Sequence, residues 1–121
     1  MASRTPTLND FLRGKSPHTL ALFDHFVSSF RVVGAITLHP AKTMIGIATQ
    51  RKRIAYITRL GKDFIHVVFP FQRPYYDNLC FQKIAQVPGT SQYNHHFRML
   101  HLEDVTDEVI QFMKLAWEEG T

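Results

Sequence analysis

Between Arg53 and Phe71 the chain reads RIAYITRLGKDFIHVVFPF, two β-rich segments around Gly61-Lys62-Asp63 with no helical period. That pattern predicts a β-hairpin. A two-residue type II′ turn needs φ > 0 at its first position, which glycine supplies, so Gly61 and Lys62 are placed in the turn. The resulting register sets Ile54, Tyr56, Thr58, Ile65, Val67 and Phe69 on one face. Arg53, Ala55, Ile57, Arg59, Phe64, His66 and Val68 fall on the other. The first set is apolar enough to meet a core, and the second is mixed.

The rest of the chain is punctuated around this hairpin. Thr7 to Arg13 reads as a short helix ending at Gly14, with residues 1–6 expected to be mobile. Ser16-Pro17 supplies an N-cap followed by proline at the first helical position, where its missing N–H costs nothing. Leu20, Phe23, Phe26, Val27 and Phe30 then recur at helical spacing up to Gly34. Ala35 to His39 and Lys42 to Thr49 read as short strands joined at Pro40-Ala41, with Ile45 and Ile47 on one face and the small Gly46 and Ala48 on the other. Cys80 to Val87 and His95 to Leu102 are further strands, after an aromatic loop at 72–78. Thr106 caps a last helix with Val105 and Ile110 placed as a hydrophobic staple. Its stripe is Val109, Phe112, Met113, Ala116 and Trp117. Two amphipathic helices and four to six antiparallel strands predict an α+β two-layer sandwich with the N-terminal and C-terminal helices on one sheet face. The other face is left open, and its mixed character suits contact with water.

A chain of 121 residues is long enough for a single domain with its own core, which needs no disulfide or metal to hold it. The one cysteine, Cys80, sits in an apolar segment and reads as a buried inert thiol, and the seven histidines lack zinc-finger spacing. There is no apolar run of membrane-spanning length and no signal-peptide pattern at the start, so the expectation is a soluble protein of a reducing cytoplasm, with no membrane partner. The net charge of +4 is unevenly spread: residues 1–62 carry ten Lys/Arg against two Asp, and residues 63–121 carry four against eight Asp/Glu. Such polarity either draws a polyanion to one part of the molecule or marks two surfaces that complement each other within the fold or a dimer.

Several segments together resemble a bacterial domain of unknown function, family 5655: TLNDFLRGKSP with the LFDHF helix, K-T-x-I-x-I at Lys42 to Ile47, RIAY at Arg53 to Tyr56, the HHFRML strand, and DVTDE followed by Ala116-Trp117. The resemblance spans nearly the whole chain. It implies an α+β domain in a cytoplasmic setting, with relatives that occur alone or appended to predicted nucleases, some labelled predicted transport proteins. It carries over no catalytic residues. The FPFQRPYY loop and Trp117, where tyrosine is more usual, depart from the family pattern.

Candidate ligand residues follow from chemistry. Lys42 at a strand start, with Arg53 and Tyr56, could hold a phosphate or carboxylate between two cations and a phenol. Arg59 and His66 stand on the mixed face of the hairpin. His95 and His96 are adjacent on a strand, so one looks inward and the other outward, and they do not chelate a single ion; His66 meets one of them only if the two strands are neighbours. Tyr75 and Tyr76, with Phe69, Phe71 and Arg73 nearby, read as a stacking platform for bases, a dimer contact, or a loop folded over the core. No metal site and no cofactor are expected. With no Ser/His/Asp order, P-loop or Rossmann glycine pattern, the chain leans away from catalysis. The favoured function is a non-catalytic binding module for an anionic partner, either nucleic acid or a phosphate- or carboxylate-bearing ligand. The alternatives are a small-molecule binder or enzyme with a pocket between sheet and helices, and a homodimeric interaction protein.

Overall fold

Helix starts are set by side-chain caps. Thr7 and Asp10 form a reciprocal capping box on α1 (Leu8–Leu12). Ser16 Oγ accepts the Thr19 N–H at the start of α2 (Pro17–Val33), and Thr106 Oγ1 accepts the Val109 N–H at the start of α3 (Asp107–Glu119). The computed structural model describes residues 6–121, so all but Pro6 of the stretch expected to be mobile lies outside the described residues. Between α2 and α3 run six strands: β1 (Thr37–Pro40), β2 (Ile45–Ala48), β3 (Arg53–Gly61), β4 (Phe64–Phe71), β5 (Lys83–Gln86) and β6 (Tyr93–Met99), followed by a 3-10 turn at Leu102–Asp104. They make one antiparallel sheet in the order β1-β2-β3-β4-β6-β5.

Both long helices cover the same sheet face, as the pattern of two amphipathic stripes requires. Phe26 of α2 packs on Phe69 and Phe97, Phe30 stacks on Phe69, and Phe112 of α3 meets Phe71 and Phe81. Aromatic pairs of this kind add about 0.5–1.5 kcal/mol each beyond the area they bury. The buried positions of α2 are Thr19, Leu22, Phe23, Phe26, Val27 and Phe30. Leu22 is buried although it was not expected to be, and Leu20 is only half-buried, because the stripe is centred on the Phe26–Phe30 line with these two leucines on its opposite edges.

The hairpin turn differs from the expected one. Gly61 pairs with Phe64 and Leu60 with Ile65, so Lys62-Asp63 forms the turn and Asp63 holds the positive φ of 62°. Two contacts decide this. A Cβ on Gly61 would stand 2.2 Å from the Phe64 ring, so the glycine serves the close approach of that ring rather than the turn. The buried Thr19 Oγ1 also accepts the Asp63 N–H and donates to the Gly61 carbonyl, both at 2.9 Å, and Ser16 Oγ donates to Asp63 Oδ1 at 2.8 Å.

The register then shifts at a bulge between Ile57 and Arg59. A one-residue shift moves side chains to the opposite face. Ile57 and Ala55, expected on the mixed face, therefore turn into the core at 1% and 0% exposure, and Tyr56, expected in the core, turns outward. Arg59, Phe64, His66 and Val68, on the turn side of the bulge or across from it, keep the expected face. A second irregularity at Ile47/Ala48 lets Ile54 reach the end of α3, where it lies against Gly120.

Candidate cationic sheet face

The uncovered face can be read directly from the strand register. One row crosses all six strands: His39, Gly46, Tyr56, Val68, His96 and Lys83. At ordinary strand spacing it is roughly 24 Å long. Beside it runs a shorter row of Arg59, His66 and Arg98, and next along β4 on the same face is Phe64. Both guanidinium groups of that row lie over the Phe64 ring, Arg59 Cζ at 5.6 Å and Arg98 Cζ at 4.7 Å from its centroid. Arg53 lies across Gly46, and a Cβ on that glycine would stand 2.8 Å from Arg53 Nε, so only glycine lets the arginine lie flat on the sheet beside Tyr56.

Charge on this face has one sign. Among the described residues no strand contains Asp or Glu, and the four strand Lys and Arg residues, Arg53, Arg59, Lys83 and Arg98, all stand on the uncovered side and are exposed. The acids gather in the other layer and its approach: Glu103, Asp104, Asp107, Glu108, Glu118 and Glu119. The charge on the face does not simply repeat the imbalance between the two halves of the sequence, since Arg53 and Arg59 come from the first and Lys83 and Arg98 from the second.

The histidines divide as adjacent strand residues must. His66 Nε2 and His96 Nδ1 are 2.9 Å apart, a hydrogen bond in which one ring donates and the other accepts. Burial, then the nearby His96 and Arg98 charges, hold His66 below the ordinary histidine value. Burial, then Lys83, does the same to His96. His95 looks the other way. It is 0% exposed and packed among Phe71, Tyr75 and Phe81. Its Nε2 accepts the Tyr75 N–H at 3.0 Å, so Nδ1 carries the proton that it donates to the Tyr93 carbonyl at 2.8 Å. A protonated Nε2 would lose its donor, and burial keeps the ring below its usual value although the Tyr93 carbonyl pulls the other way. His95 is a neutral strut of the core that anchors the 72–82 loop.

The other candidates are distributed by the topology. Arg53, Tyr56, Arg59, His66 and His96 share the open face. Lys42 does not join Arg53: it lies in the β1–β2 turn beyond Ile45, whereas Arg53 is opposite Ala48 at the far end of β2, at least about 10 Å along the strand. Antiparallel pairing, which reverses the chain between them, separates the two. Tyr75 packs on Phe71 and Phe112 on the helical side, capped by Arg73 at 5.1 Å, and Tyr76 is exposed on the same loop. The pair therefore stands apart from the cationic rows. Cys80 lies in that loop rather than in a strand and is half-buried; burial first, then its hydrogen bond to Glu108, pushes the thiol up to about 12.

Sequence reasoning passed over Arg98, Lys83 and Phe64 as ligand residues. The signal was present for Arg98, which alternates with the inward Phe97 and Met99, but its partners Arg59 and Phe64 come from strands whose neighbours the sequence did not reveal. Where the Arg59 end of the face meets α1 there is a cleft of about 740 Å³ bordered by Lys15, Arg59, Lys62, Asp10, Ser16 and Phe11, three cations and one carboxylate among them. Among the described residues no group of three or more His, Cys, Asp or Glu side chains could hold a metal ion, and no helix is long and apolar enough to cross a membrane. No protein-family model, curated protein or solved structure matches the chain.

Proposed function

We propose that this protein is a non-catalytic binding module that lays a single-stranded nucleic acid across its uncovered sheet face. The observation that carries this reading is the one-signed charge of that face: four exposed Lys and Arg residues and no acid in any described strand, with Phe64 and Tyr56 among them. Cations that track a phosphate backbone next to aromatic side chains are what sequence-tolerant single-strand binding uses. A duplex would need an element that enters a groove, and a six-stranded sheet face with short edge strands projects none. The resemblance to a family with members appended to predicted nucleases agrees with it.

The reading is tested by adding a twelve-nucleotide oligo-dT to isotopically labelled protein and following backbone amides by NMR. Shifts confined to β3, β4, β6 and β5 are expected. Shifts on α2 and α3 alone, or none at low salt, would refute it. A second reading, a binder of small anions, is favoured by the cleft at the Arg59 end, where Lys15, Arg59 and Lys62 outnumber the single carboxylate of Asp10 beside an apolar wall from Phe11. In that case mononucleotides or sugar phosphates would shift α1 and the β3–β4 turn, and the oligonucleotide would compete with them only through Arg59.

A further inference from the structure

His66 stands between the two arginines of the short row and is hydrogen-bonded to His96, two residues from Arg98 on β6, and the proton count of that pair limits what it can offer a ligand. In the neutral pair one proton sits between Nε2 of His66 and Nδ1 of His96, and one of the two outer nitrogens carries the other. The outer pair is then one donor and one acceptor, so the neutral pair offers an anion a single N–H and no charge. Adding one proton leaves the central N–H···N bond intact and makes both outer nitrogens, His66 Nδ1 and His96 Nε2, donors. Adding a second would break the central bond and set two cations in contact.

His66 is directly opposite both Arg59 and Arg98, whose guanidinium groups converge on the Phe64 ring next to it. The remaining titratable groups facing the pair are Tyr56 from β3 and Lys83 from β5. Neither long helix packs on this side. Without a ligand every full charge around the pair is positive, which opposes the added proton; an oxyanion held by the two guanidinium forks reverses the sign of that field.

We propose that Arg59, His66 and Arg98, with His96 bonded to His66, form a site for one phosphate group that fills with uptake of a single proton by the histidine pair. This deepens the nucleic-acid reading and rests on it for the source of the phosphate. The proton comes from the buffer, and no covalent bond is made or broken.

The experiment follows the ring nitrogens of His66 and His96 by NMR from about pH 5 to 8, with and without sulfate, a tetrahedral oxyanion that does not titrate in this range. In parallel, the affinity for oligo-dT with and without a 5′-phosphate is measured against pH, with calorimetry in two buffers of different ionisation enthalpy. Sulfate is expected to raise the half-titration point of the pair. Oligonucleotide affinity is expected to rise by up to about tenfold per unit fall in pH, the limit for one linked proton. His96→Gln and, separately, His66→Gln should flatten that pH dependence. A pH slope with both oligonucleotides assigns the site to backbone diesters, and a slope only with the 5′-phosphorylated one assigns it to a terminal monoester; either supports the site. Oligonucleotide binding with flat pH dependence and histidine titrations unmoved by sulfate overturns the site and leaves the nucleic-acid reading standing. A sulfate-induced shift without oligonucleotide binding does the reverse.

Discussion

Replacing Arg59 and Arg98 together by glutamine removes two of the four strand cations while keeping a polar, hydrogen-bonding side chain at each position. Each phosphate neutralised on a single strand releases condensed counterions and contributes about 0.7 to the slope of log K against log salt, so four cations predict a slope of about −2.8. Between 50 and 200 mM salt the wild type should then lose roughly 50-fold in affinity, and the double variant, with a slope of about −1.4, roughly sevenfold. Both arginine side chains are exposed and bond to nothing but the Phe64 ring face, so the fold should tolerate the change. Fluorescence anisotropy of a labelled oligo-dT across a potassium chloride series measures the slopes, and the melting curve of each protein verifies that it is folded. Lys114→Gln, on the exposed side of α3 in the acidic layer, is the matched control and should leave the slope unchanged. A wild-type slope near zero, or a double variant with the wild-type slope, would refute the claim that the sheet face carries the binding.

Three other outcomes follow from buried and half-buried groups. His66, His95 and His96 are held below the ordinary histidine value in the folded chain. Unfolded histidines take protons near pH 6.5 that the folded ones refuse, so the unfolded state binds more protons and stability should fall as the pH drops below about 6.5; urea midpoints that stay level from pH 7 to 5 would contradict this. Thr19→Val keeps the shape but leaves the Gly61 carbonyl and the Asp63 N–H without their partner, for a cost of about 2 kcal/mol seen as a lower denaturation midpoint at unchanged m. Cys80, with its thiol pushed up to about 12, should react with a disulfide reagent at neutral pH on the order of tens of times more slowly in the folded than in the unfolded protein, the scarcer thiolate being partly offset by its greater nucleophilicity.

Where local chemistry suffices, the chain was readable as a string. Ser16-Pro17 and Thr106 mark the helix starts at which the structure has them, and the stripes of α2 and α3 identify the buried Phe26, Phe30, Val109 and Met113, because caps and helical periods depend on residues within one turn. The hairpin was legible as a hairpin, yet its turn and half of its faces were not. Asp63 is drawn into the left-handed region by Thr19, which is 44 residues away, and the bulge beyond Arg59 reverses Ala55, Tyr56 and Ile57 with no mark in their alternation. Three short strands were overextended, β2 back to Lys42 and on to Thr49, β5 back to Cys80 and β6 on to Leu102, since residue alternation does not record where pairing with a neighbouring strand stops.

The candidate site divides along the same line. That Arg59 and His66 share a face, and that His95 and His96 part to opposite faces, follows from the two-residue period of a strand and needs nothing beyond the sequence. That His66 meets His96, that Arg98 stands across from Arg59, and that Lys42 is kept from Arg53 depend on which strands are neighbours. Strand order is chosen by the whole core at once, through Phe69, Phe97 and the helices that cover them, and no local pattern records it. The sequence by itself determined that one sheet surface would be left uncovered and that the hairpin would set Arg53, Arg59 and His66 on it. Only the tertiary structure decided that the four strand cations, brought from β3, β5 and β6, stand together, because pairing distant segments is a cooperative outcome of burial rather than a property of any one of them.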